Sequence, residues 1–179
     1  MLWVGLALPM AVYAVVVLLA PQDVLDQAGS LRRFSDGVRQ ALLLLSSRLD
    51  IHSHAKTTAF PQVAMLASAL GLVLAGLIAL LFCLRTLLHY RFIRHLLLPI
   101  VRQHNALVLL VFAPSLSLVC LWGVYCVGGD WSMAPGLTTK SRLGYLLISS
   151  GAVAMAGTLV GTWPAQMRAA LFDRSTASA

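Results

Sequence analysis

The chain has 179 residues, 59% of them hydrophobic and 11% charged, with a mean hydropathy of +0.85. A soluble domain carries about a quarter charged residues, and a chain this short has much surface to cover, so the composition excludes an ordinary soluble fold. It points to a single membrane domain over 1–179. Thirteen Lys and Arg stand against six Asp and no Glu, a net charge of +7. In an apolar chain that excess suits anionic lipid headgroups, and not nucleic acid, which calls for a basic patch on a soluble scaffold.

The first apolar stretch, about 2–20, carries no charge. No basic segment precedes it and "VVVLLAPQDV" is a poor cleavage site, so a retained span is expected in place of a signal peptide. A polar segment, 21–60, follows. Within it Leu31, Phe34, Val38, Leu42, Leu45 and Leu49 recur every three or four residues, while Arg32, Arg33, Asp36, Arg39, Ser46 and Asp50 fall elsewhere. The pattern predicts an amphipathic helix at about 31–50, capped by Ser30, with Arg32 and Asp36 paired one turn apart. Its apolar face is expected to lie on the membrane, against the helical bundle or on a partner.

Three more apolar stretches, about 61–84, 105–127 and 143–163, contain no Asp, Glu, Lys, Arg or His. Each is long enough for a hydrocarbon core of about 30 Å. The expectation is an all-α polytopic membrane protein with four transmembrane helices and one amphipathic interfacial helix. Pro61 suits a helix start. Ala67, Gly71, Ala75 and Ala79 recur every four residues, and Gly157 and Gly161 form a GxxxG pair. Small residues so spaced let helices approach where lipid supplies no hydrophobic drive.

Arg85 and then "LHYRFIRHLLLPIVRQH" separate the second and third stretches. Arg85, Arg91, Arg94 and Arg102 have no acid among them and read as topology anchors and lipid-headgroup contacts. Pro99 is expected to end this segment before the third span. A compact basic loop belongs on the cytoplasmic side, which with four spans puts both termini in the cytoplasm, the membrane being a bacterial inner membrane. "GGDWSMAPGLTTKSR" reads as an interfacial loop holding Trp131, and the residues beyond Pro164 as a fraying tail.

Signs of chemistry are sparse. His52 and His54 form "HSH", and His89, His95 and His104 flank the basic loop. A haem bundle would place opposed histidines inside the spans, so these read as interfacial polar residues, with no metal and no cofactor. Cys83, Cys120 and Cys126 read as small buried hydrophobes. No HExxH, phosphate-binding glycine loop or serine elbow occurs, and no ionisable residue sits within a span to carry a proton or ion. The chain is expected to be no enzyme but a structural or accessory subunit of a larger membrane complex, with other membrane subunits as partners. An immunity or exclusion-type binding protein and a small oligomeric transporter or channel are the alternatives.

Overall fold

The computed structural model describes residues 2–103, 106–127 and 137–173, and every regular element among them is helical. The longer helices are α1 (Leu2–Leu19), α2 (Gly29–Leu45), α3 (Pro61–Leu88), α4 (Tyr90–Gln103), α5 (Ala106–Trp122) and α6 (Arg142–Arg168). Single helical turns lie at Val24–Gln27, His52–Ala55 and Leu137–Lys140. Wider π-helical turns follow α5 at Gly123–Val127 and α6 at Ala169–Asp173.

Two helices, not four, are long and apolar enough among the described residues to cross a membrane: Pro61–Leu88, 28 residues, and Arg142–Leu171, 30 residues. The first and third stretches supply shorter apolar helices, α1 of 18 residues and α5 of 17. At 1.5 Å per residue these rise about 27 and 26 Å, short of a core of about 30 Å. An apolar run sets an upper bound on a helix; local geometry sets its length. In the third stretch regular helix gives way at Trp122 to the π-helical turn. His104, Asn105, the loop 128–136 with Trp131, and the tail 174–179 lie outside the described residues.

Helix ends explain the boundaries. Pro61 opens α3, where a missing N–H is harmless, and the Phe60 carbonyl accepts from Ala64 N at 3.0 Å. Ser141 caps α6: its Oγ accepts from Gly144 N at 3.2 Å and its carbonyl from Tyr145 N at 2.9 Å. The Arg142 guanidinium donates to the Leu18 and Ala20 carbonyls, 3.1 and 2.7 Å away, placing a cation at the electronegative end of α1.

Several local expectations are corrected. Helix α2 begins at Gly29 behind Ala28, with no side-chain cap, so Ser30 is not the N-cap. Arg32 pairs with Asp26, at 3.4 Å, rather than with Asp36. The helix closes at Leu45, and Leu49 falls in the turns beyond it. Pro99 lies inside α4 and does not end it. Beyond Pro164 α6 continues to Arg168, with Ala165 and Ala169 fully buried, so this segment is packed helix and not a frayed tail.

The chain forms two compact units, one of Met1–Leu74 with Cys120–Val153, the other of Ala75–Val119 with Ala154–Ala179. In the first, Tyr145 reaches the Ala64 carbonyl and Gly71 stands beside Val153. In the second, Gly157 faces Ala75 and Ile78, and Gly161 faces Ala79 and Phe82. Within each unit, therefore, the segments of α3 and α6 run in the same direction.

Candidate functional site

All four tyrosines are buried, and three of them gather in the first unit around Gly71. A phenolic hydroxyl has one proton to give, so the bonds have a direction. Tyr13 donates to Ser149 Oγ at 2.8 Å, and Ser149 donates to the Tyr145 carbonyl at 2.6 Å. The Tyr13 proton being used, Tyr125 is the donor in its 3.2 Å bond to Tyr13. The Tyr145 hydroxyl ends on the Ala64 carbonyl at 3.3 Å. Each proton thus runs to another member of the group or to backbone. Gly71 makes the space: a Cβ there would overlap the Tyr125 hydroxyl and stand 2.8 Å from its Cζ.

A second polar group in the same unit holds α2. Ser35, at 0% exposure, donates to the Met65 carbonyl at 3.1 Å and lies 3.0 Å from His52 Nε2. With the hydroxyl proton directed at Met65, Nε2 carries the proton and donates to Ser35. A serine beside a histidine invites a nucleophile-and-base reading, but here the proton points away from the imidazole and the oxygen is sealed. The pair acts as a clasp. Beside it, Arg39 grips Asp50 with two bonds, Nε to Oδ1 at 2.7 Å and a terminal nitrogen to Oδ2 at 2.9 Å. Asp50 Oδ1 also accepts from His52 N at 3.0 Å. The Arg39 bond holds the Asp50 carboxyl below the ordinary carboxylate range. Burial, helped by the Arg39 charge, pushes the His52 imidazole below its usual value.

These contacts revise the reading of α2. Phe34, Val38, Leu42 and Leu49 are half-buried, while Leu31 and Leu45 are exposed. Arg39, expected to face away from the contact, is on the docked side. His52 is buried and bonded, not an interfacial bystander.

In the second unit the small residues form a close contact. A Cβ added to Gly157 would lie 2.7 Å from Ile78 Cβ and 2.9 Å from the Ala75 carbonyl oxygen. One added to Gly161 would lie 2.6 Å from the Ala79 carbonyl oxygen. Ser117 donates to the Ala113 carbonyl at 2.8 Å and lies within 3.4 Å of the Ala156 carbonyl. Ala67, earlier in α3, is fully buried within the first unit. At the far end of this unit Tyr90 packs with Ala165, Ala169 and Ala170, and the Arg168 guanidinium sits 4.5 Å from its ring centroid. Arg85, Arg91 and Arg94 are exposed near this end; Arg102 belongs to α4 by its backbone.

A groove of about 300 Å³ in the first unit is lined by Leu8, Pro9, Val12, Tyr13, Leu70, Val73 and Leu74 and is almost wholly apolar. Among the described residues no three His, Cys, Asp or Glu side chains stand close enough to share a metal ion. The tyrosine group and the Ser35–His52 pair escaped sequence reasoning. The available signal was a hydroxyl inside an apolar run, which must find a partner once buried. Compared with protein-family models, with curated proteins and with solved structures, the chain matches none.

Proposed function

We propose that this protein is a structural or accessory subunit of a larger membrane assembly, acting through helix packing and carrying no reaction of its own. The observation that supports this reading is how the polar groups are turned. Tyr13, Tyr125, Tyr145, Ser35 and Ser149 bond to one another and to backbone carbonyls, whereas α1, α3 and α6 turn Leu8, Val12, Val73, Leu80, Leu147 and Met155 outward. Apolar faces of this kind suit lipid and the helices of other membrane subunits. The membrane we assign is a bacterial inner membrane. The C-terminal ends of α3 and α6 lie on its cytoplasmic side, since Arg85, Arg91, Arg94 and Arg168 gather there.

Extraction of the tagged full chain in a mild detergent tests the assignment. We expect it to elute with other membrane polypeptides in a fixed ratio, and a Leu in an outward position such as Leu147→Ser to lower their recovery without lowering its own. Elution as a stable monomer without companions would overturn it.

A further inference from the structure

We propose that the second unit carries an anionic phospholipid site, formed by Arg85, His89, Arg91 and His95 at the joint between α3 and α4. The proposal rests on α3 and α6 crossing the membrane, and not on the accessory role.

Charge is the first support. The sequence of this unit contains six arginines and one acid, Asp173, a balance of 6 − 1 = +5. From Ala75 to Leu84, along α3, there is no charge, and the arginines begin at Arg85 as the apolar helix ends. Arg168, on the other long helix, is drawn to the same end by the Tyr90 ring.

The second support is the shape of the joint. The His89 carbonyl accepts from Phe92 N and Ile93 N, at 3.0 and 3.1 Å, so α4 starts one residue after α3 stops. Tyr90 is buried against Ala165 and Ala169 and fixes which side of α4 meets the unit. Arg85, His89, Arg91 and His95 are all exposed. Among them stand two large apolar side chains that nothing in the unit covers, Leu88 at 81% and Phe92 at 76% exposure. Phe92 meets the His95 ring edge to face, with centroids 5.9 Å apart. Cations interleaved with exposed apolar groups at the end of a spanning helix match a phosphate headgroup above its acyl chains. Duplex DNA would use the arginines but give Leu88 and Phe92 nothing to bury against.

Full-length protein in a nonionic detergent, titrated with phosphatidylglycerol or phosphatidylcholine and read by native mass spectrometry, tests this. Phosphatidylglycerol should be retained in preference. R85Q and R91Q should each weaken that retention about five-fold, as one arginine near a lipid surface contributes, and R91K should preserve it. F92S should weaken both lipids while leaving the preference. All three side chains changed are exposed, and an unaltered melting temperature in lipid-free detergent confirms that each variant folds. Equal retention of the two lipids, no loss in the R85Q R91Q double variant, or equal binding of free glycerol phosphate or duplex DNA would overturn the proposal.

Discussion

Gly71→Ala is expected to be among the most damaging single-methyl changes in the chain. The new Cβ would overlap the Tyr125 hydroxyl and lie 3.3 Å from Val153 Cγ2. Tyr125 cannot retreat without giving up its bond to Tyr13, and the whole tyrosine group is sealed. Overpacking of a filled core costs about 1–3 kcal/mol. Gly157→Ala and Gly161→Ala belong to the same class, because the atoms they meet include the backbone oxygens of Ala75 and Ala79. Gly76 and Gly151 supply the control: an added Cβ at either meets nothing within 4 Å, so Ala there should leave stability unchanged or raise it, as Gly→Ala does in a helix. Thermal unfolding in detergent reads the series. In a Tyr125→Phe background Gly71→Ala should lose less than it does alone, because the overlapping oxygen is gone. Such non-additivity is the signature of a direct contact. Equal melting temperatures for Gly71→Ala and Gly76→Ala would remove the packing argument.

The second large effect concerns acid and the hold on α2. The His52 value in the folded state lies below its ordinary one, so the unfolded chain binds the proton more readily. The stability that neutral His52 contributes is therefore present above about pH 6.5 and is lost as pH falls from there through the folded value. Asp50 is also depressed, so its contribution persists above the ordinary carboxylate range and disappears at still lower pH. Both act in the same direction: acidification loosens α2 in two stages. Hydrogen exchange across 29–45, taken relative to the intrinsic amide rate at each pH, should rise between pH 7.5 and pH 5. Ser35→Ala should raise it at both, since a buried imidazole N–H left without a partner costs about 1–3 kcal/mol. His52→Gln, which keeps a neutral donor, should abolish the first acid stage while leaving the second. Exchange across 29–45 that is flat with pH would contradict the clasp.

Composition made the helical class and the apolar character readable, because both are sums over many residues. The number of helices able to cross a membrane was not, because it depends on local geometry. In the third apolar stretch the change at Trp122 from α-helix to a π-helical turn leaves no mark on a hydropathy profile. Periodicity likewise showed where α2 has an apolar side, but not what fastens it. Ser35 and Arg39 count as polar in any periodic pattern, and their partners lie at Met65, His52 and Asp50. The tyrosines present the same difficulty. Tyr13, Tyr125 and Tyr145 are far apart in sequence, and an aromatic in an apolar stretch fits a lipid-facing position equally well. Spacing alone marked Gly71, Gly157 and Gly161 as small; the neighbours that need them small are visible in the folded chain. The composition beyond Pro164 suits a loose tail, whereas the place of Arg168 over Tyr90 depends on α6 continuing past Pro164.

The membrane assignment requires α3 and α6 to cross the bilayer in the same direction, so the chain between them, which carries the shorter apolar helix α5 and its π-helical turn, has to return across it. Labelling from one face of the membrane measures this directly. With Cys83, Cys120 and Cys126 replaced by Ala, single cysteines are placed before the two helices, at Lys56 and Lys140, and after them, at His89 and Leu171. All four positions are exposed. A membrane-impermeant maleimide added to sealed spheroplasts should label the Lys56→Cys and Lys140→Cys proteins, and reach His89→Cys and Leu171→Cys once the membrane is opened. Labelling of His89→Cys and Lys140→Cys from the same face, or of all four positions with the membrane sealed, would contradict it.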